Sequence, residues 1–210
     1  MCGRYWLKDN PEELARRYGA RLFSSETEGN GEVFPSYFVP VVTAGGNDGS
    51  DDRNLISNMI WGFPLPGKKG AVINARSETV AFKSIFKKRF MSQRCIVPAN
   101  GFFEWKEEND EKNKKRKIKH IFNLPDETVF SLAGIFGDFH DEANNSYRAF
   151  VIITVEPNNI VAPIHNRMPV ILPEEKENIW LNTNEQDSHE LTELMVPYNS
   201  DRVPLFVRAV

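Results

Sequence analysis

The sequence predicts an α+β fold, a single compact domain built on a curved, mainly antiparallel, barrel-like β-sheet with short flanking helices. Three observations carry that expectation. Short runs rich in Ile, Val and Phe dominate from residue 55 onward. Helix signals fall singly among them, without the regular βαβ alternation of a parallel sheet. No internal repeat and no long Ser/Gly/Pro linker interrupts the chain, so residues 1–210 are expected to form one domain.

In chain order, Asp9-Asn10-Pro11-Glu12-Glu13 starts a helix, with a capping side chain, a proline in the first turn and acids facing the dipole; Gly19 stops it. Residues 44–54 are turn formers and acids, hence a surface loop. Strands are expected at Leu55–Phe63, Ala71–Asn74, Cys95–Trp105, His120–Leu124, Val129–Phe139, Tyr147–Val155 and Met168–Leu172. Between Ser77 and Phe90, Val80, Ile85 and Phe86 recur at helical spacing and predict a short helix or two. Pro173 with Glu174, Glu175 and Glu177 opens a helix through Trp180, and Ser188 caps another running to Met195. Segment 106–120 carries seven bases and four acids, and it reads as a solvated hairpin between strands.

Composition narrows the function classes. The chain has 210 residues, 40% of them hydrophobic, and a net charge of −3. That excludes a disordered chain, and two cysteines exclude a disulfide scaffold. No apolar run reaches the roughly 20 residues that cross a bilayer, and the start MCGRYWLKDNPEE lacks the apolar stretch of a signal peptide. The expectation is a soluble cytoplasmic protein with reduced thiols. Mild acidity argues against bulk nucleic-acid binding but leaves room for a local basic groove.

The sequence contains no GxGxxG, Walker loop, HExxH, GxSxG or CxxC, and its four histidines are scattered, so no cofactor or metal is expected. Position 2 stands apart. A small residue after Met1 permits removal of the methionine, which leaves Cys2 N-terminal. Its α-amine then has a pKa of about 7.7–8, so much of it is neutral at pH 7. A 1,2-aminothiol forms a Schiff base with an aldehyde through nitrogen and closes through sulfur to a thiazolidine, which an internal cysteine cannot do. Glu104 lies within Gly101-Phe102-Phe103-Glu104-Trp105. Strand alternation either buries it beside aromatics, raising its pKa, or turns it to water. His165, between Pro163 and Pro169, reads alone as either structural or catalytic. Cys95, in an apolar run, reads as an inert core thiol.

Together the segments Cys2-Gly3-Arg4-Tyr5, Trp61-Gly62-Phe63, Asn74 through Thr79, Arg94 through Pro98, Gly101 through Trp105, Gly134-Ile135-Phe136, Thr154 and His165 through Pro169 resemble the SRAP family (SOS-response-associated peptidase, or abasic site processing proteins). The resemblance implies a protein that captures abasic sites in single-stranded DNA as a covalent thiazolidine crosslink. It places the nucleophile at Cys2, the amine-positioning asparagine at Asn74, the acid–base carboxylate at Glu104, and the histidine that helps open the sugar at His165. Arg4, Arg76 and Arg167 would hold flanking phosphates, Trp61 and Trp105 would stack on bases, and Met168 joins them in the DNA-binding set. Bases should cluster around Cys2 while acids gather in the C-terminal stretch. The cytoplasmic protein is expected to join the nucleoid during repair and to use no metal, and nothing in the chain demands more than a monomer. The chain departs from the family pattern at Phe38 and Val39. Two other functions use the same residues: a cysteine peptidase with Cys2, His165 and Glu104, whether removing Met1 or cleaving other peptides, and a non-covalent single-strand binder. Lyase chemistry through the Schiff base is a further possibility of the site.

Overall fold

The computed structural model describes residues 2–23, 31–45, 53–65, 67, 69–110, 113–182, 188–201 and 203–210. The first half of the chain supplies β1 (Tyr5–Leu7), α1 (Pro11–Tyr18), β2 (Arg21–Leu22), β3 (Gly31–Val33), β4 (Phe38–Thr43), β5 (Leu55–Trp61), β6 (Phe63–Pro64), β7 (Ala71–Val72) and β8 (Asn74–Arg76). Next come α2 (Ser77–Val80), α3 (Ser84–Ser92), β9 (Arg94–Ala99), β10 (Gly101–Asn109), β11 (Lys115–Asn123), β12 (Phe130–His140) and β13 (Ser146–Val155). The chain ends with β14 (Met168–Pro169), β15 (Ile171–Leu172), α4 (Glu174–Leu181), α5 (Ser188–Glu193) and β16 (Phe206–Ala209).

Strands β13, β12, β9, β4 and β5 pair in that order, and β13 also pairs in parallel with β5 through Ala149↔Ile60 and Phe150↔Trp61. That last pairing closes the five strands into a barrel, removing the edges that an open sheet would expose. A second sheet, β16-β11-β10-β1-β3, is antiparallel throughout. The α+β, barrel-like expectation is therefore met. The expected strand Cys95–Trp105 is not one strand: it breaks at Asn100, with β9 in the barrel and β10 in the second sheet. The cause is the buried Asn100 side chain, which accepts from the Lys8 N–H at 2.8 Å and donates to the Glu127 carbonyl at 2.8 Å. A corner filled by long-range hydrogen bonds turns the chain from one sheet to the other. Gly101 follows because a Cβ there would lie 2.9 Å from the Phe122 carbonyl oxygen.

The helices form where their end signals stand. Asn10 and Glu13 make a reciprocal capping box on α1, and Gly19 ends it with φ 56°. The region 77–90 yields two short helices, α2 and α3. In α5 Ser188 is the first residue and the helix ends at Glu193, short of Met195. Segment 106–120 falls, in its described residues, within the β10–β11 hairpin, whose arms pair farther into it than expected, from Phe102↔Phe122 to Asn109↔Lys115. Met1, most of the 44–54 loop (46–52), and Lys112, Glu185 and Asp187 lie outside the described residues.

Two cations organise the interior. Arg94, 1% exposed, donates to the carbonyls of Phe90 and Met91 at the end of α3 and of Trp180 and Asn182 at the end of α4. It caps two helices at once. Arg17 on α1 grips Glu177 on α4 with both guanidinium arms, at 2.8 and 3.1 Å. Tyr5, Trp61 and Phe150 form an aromatic core, with ring centroids 5.2 and 6.4 Å apart along the series.

Candidate active site

Cys2 precedes β1, and β1 is hydrogen-bonded between β10 and β3. That placement brings the amino-terminal end of the chain against the strand that carries Glu104. Cys2 is fully buried. Its thiol donates toward the Arg4 carbonyl oxygen at 3.7 Å. Burial, with the Glu104 carboxylate second, pushes the thiol well above its ordinary value. The thiol is therefore held protonated.

Asn74 opens β8, which is fixed by parallel pairing with β13 through Ile152↔Asn74. Its side-chain amide donates to the Cys2 carbonyl oxygen at 2.9 Å. Sequence reasoning expected Asn74 to hold the Cys2 amine; the hydrogen bond observed goes to the carbonyl of the same residue. The Asn74 Oδ1 atom is buried and accepts no hydrogen bond from the described residues.

Glu104 resolves the alternation question in favour of burial, at 2% exposure. Register explains it: Phe102 and Glu104 share one face of β10, and Trp105 pairs with Lys119 on the other. Desolvation pushes the Glu104 carboxyl up to about 7. His165 Nε2 lies 3.7 Å from Glu104 Oε2. Its Nδ1 lies 3.1 Å from both the Arg167 backbone nitrogen and the Arg167 carbonyl oxygen, which anchors the ring by that edge and turns Nε2 toward the carboxylate. Burial lowers the His165 pKa, so the imidazole is neutral at pH 7. Glu104, Trp105, His165 and Asn166 line a cleft of about 710 Å³, with Lys106 and Lys117 on its wall.

The nucleic-acid residues divide. Trp105 is half-buried on the cleft and Arg76 is exposed. Trp61 and Met168 are both fully buried, which corrects their place in the DNA-binding set. Trp61 donates its ring N–H to the Ile73 carbonyl at 3.0 Å and packs on Tyr5 and Phe150, so no face is left for a base. The Met168 sulfur accepts the Asn158 N–H at 3.3 Å inside the core. Arg167 is also committed internally. Its guanidinium forks onto Glu78 and reaches the Thr154 carbonyl at 2.6 Å, with only 11% of the side chain exposed. It braces the His165 loop against β13 and α2.

The bases expected around Cys2 are present but ion-paired. Arg4 and Lys119 share Glu32, Lys106 meets Glu108, and Lys117 meets Glu107. Of the C-terminal acids, Glu174 and Glu177 meet Arg17. Sequence reasoning missed Glu32 and Glu78. Each pairs with a cation on another element, 28 and 89 residues away along the chain, and no local motif marks either. Cys95 is fully buried and pushed well above its ordinary pKa, as expected of a core thiol. Among the described residues no group of His, Cys, Asp or Glu has metal-binding geometry. No described helix is long and apolar enough to cross a membrane.

Comparison with known proteins identifies the family and the fold. The family model described as SOS response associated peptidase (SRAP) matches residues 1–207. The chain is 35% identical over 210 residues to the abasic site processing protein YoqW of Bacillus subtilis, covering 96% of this chain and 89% of that one. It is 27% identical over 188 residues to the abasic site processing protein YedK of Escherichia coli, covering 86% and 79%. A crystal structure of a protein from Bacteroides thetaiotaomicron superposes with a TM-score of 0.83 at 26% identity, over 100% of this chain and 92% of that one.

Proposed function

The chain belongs to the SRAP family, and on that premise we propose that it processes abasic sites in single-stranded DNA by covalent capture through Cys2. The names of its relatives support abasic-site recognition. The single observation that carries the finer reading is the convergence of four separate segments: Glu104 and His165 line the cleft, Glu104 acts on the Cys2 thiol, and Asn74 holds the Cys2 carbonyl.

Once Met1 is removed, the Cys2 α-amine attacks the aldehyde carbon of the opened abasic sugar. His165 relays the proton of the anomeric hydroxyl to the ring oxygen as the hemiacetal opens. Glu104, with a pKa of about 7, carries one proton from the attacking nitrogen to the former carbonyl oxygen, and a second proton, drawn from solvent, lets that oxygen leave as water and the iminium form. The thiol then adds to the iminium carbon, its proton leaving through the same carboxylate, and the five-membered ring closes. Asn74 holds the Cys2 carbonyl and has its Oδ1 open to the new amine. Trp105 supplies a surface on which a base beside the lesion stacks.

The peptidase alternative needs a thiolate stabilised by a cationic partner. Here burial and Glu104 act in the opposite direction on the thiol, and His165 faces the carboxylate. These features support amine-first chemistry, in which a protonated thiol is the resting form. The domain, 1–210, would act in the cytoplasm, as a monomer and without metal or cofactor.

The test is a denaturing gel of the protein with a single-stranded oligonucleotide carrying one abasic site, with intact mass confirming loss of Met1. A heat-stable shifted band that requires the lesion and disappears in Cys2→Ser is the expected result. No band from protein whose Met1 is gone would overturn covalent capture.

A further inference from the structure

Beside the capture site, Glu32 sits between two cations. Arg4 Nη1 lies 2.9 Å from one of its oxygens and Lys119 Nζ lies 2.6 Å from the other. The arrangement is the one a phosphate would make, with one cation on each of two oxygens. Aromatic rings hold both cations independently of Glu32. The Arg4 guanidinium lies 4.0 Å from the centre of the Phe34 ring and 5.5 Å from that of Trp105, while Lys119 Nζ lies 4.1 Å from that of Phe103. Removing the carboxylate would thus leave two positioned positive charges. Glu32 itself stands on β3, a three-residue strand at the edge of its sheet, with 24% of its side chain exposed. Its neighbours hold its carboxyl below the usual range against the opposing effect of burial, so it is ionised at neutral pH.

We propose that Arg4 and Lys119 form a binding site for a DNA backbone phosphate, that Glu32 occupies this site in the free protein, and that the phosphate must displace Glu32 to enter. This rests on the reading of the protein as a single-strand binder and adds a regulator to that site. The geometry places the phosphate beside Trp105, the ring available for base stacking, on an arginine two residues after the nucleophile. Competition from Glu32 weakens reversible binding to every strand equally. Covalent capture at a lesion does not depend on that weak equilibrium once the bond has formed. An internal carboxylate therefore shortens the stay on undamaged DNA and leaves the captured product in place.

The test is a salt titration of binding to a lesion-free single-stranded oligonucleotide by fluorescence anisotropy. Glu32→Gln should bind about two- to five-fold tighter at low salt, the range an exposed ion pair accounts for. Its plot of log affinity against log salt should be steeper by up to about 0.7, the increment of one phosphate contact on a single strand. Lys119→Gln should move both quantities the other way, and it decides the matter if Glu32→Gln does not fold. Unchanged affinity and slope in Glu32→Gln, or an unchanged slope in Lys119→Gln, would overturn the proposal. Parallel crosslinking on an abasic oligonucleotide separates the two readings. Crosslinking with no effect of Glu32 rejects only the displacement, and a Glu32 effect without crosslinking rejects only covalent capture. Failure of every variant to bind rejects both.

Discussion

Among the described residues two acids are buried, Glu177 at 8% exposure and Glu104 at 2%, and their surroundings differ in kind. Glu177 receives both arms of Arg17 and the Ser131 hydroxyl at 2.5 Å, and Ser131 in turn accepts from Tyr18 at 3.0 Å. Glu104 has a neutral imidazole at 3.7 Å, and burial outweighs the amino-terminal charge that lowers it, so it is pushed up to about 7. A buried carboxylate met by a full cation and a hydroxyl is a brace, here tying α1 to α4 and the barrel. A buried carboxylate whose desolvation outweighs its charged neighbour exchanges its proton near neutral pH, the property acid–base catalysis needs. The difference is one of partners, since depth is nearly the same.

The contrast breaks most visibly in rate. Glu104→Gln should slow crosslinking by about 10²- to 10⁴-fold, the usual contribution of a positioned acid–base group, measured by single-turnover gel kinetics. The same substitution should stabilise the fold. The folded-state pKa of Glu104 is raised from 4.5 to about 7, so its contribution is full below about pH 4.5 and is lost as pH rises through about 7. Urea unfolding of Glu104→Gln should therefore show a gain of about 3 kcal/mol at pH 8 and under half of that at pH 5.

Arg17→Ala tests the other carboxylate and should have the opposite sign. It leaves Glu177 without its cation and should cost about 2 kcal/mol in urea unfolding, with crosslinking by the folded fraction unchanged. The figure is below that of a fully buried pair because 23% of the Arg17 side chain meets water. The smallest effect is at Trp105. Trp105→Ala should weaken single-strand binding by about 1 kcal/mol in anisotropy, the low end for one stacked base, because the ring is only half exposed. An equal loss of binding from Trp61→Phe would contradict the assignment of Trp61 to the core.

What was legible in the sequence was local. The capping box of Asn10 and Glu13 and the left-handed Gly19 need only neighbours in the chain, and both ends of α1 stand where they predict. The ordered motifs also brought Cys2, Asn74, Glu104 and His165 together before any geometry was known. Long-range partners were illegible. The break at Asn100 depends on Lys8 and Glu127, and the commitment of Arg167 depends on Glu78. The two tryptophans show the same limit: periodicity marks both as strand residues, and only closure of the barrel beside β13 decides that Trp61 is inside.

The central claim is that Glu104 moves the protons of Cys2 capture. The most direct measurement is the pH dependence of single-turnover crosslinking to an abasic oligonucleotide, wild type beside Glu104→Gln, with Met1 confirmed absent in both. The account predicts a wild-type rate that rises through an inflection near pH 7 as Glu104 ionises. In Glu104→Gln that inflection should vanish, leaving only the rise of the Cys2 amine at about 7.7–8. Profiles of the same shape and height in both proteins would contradict it.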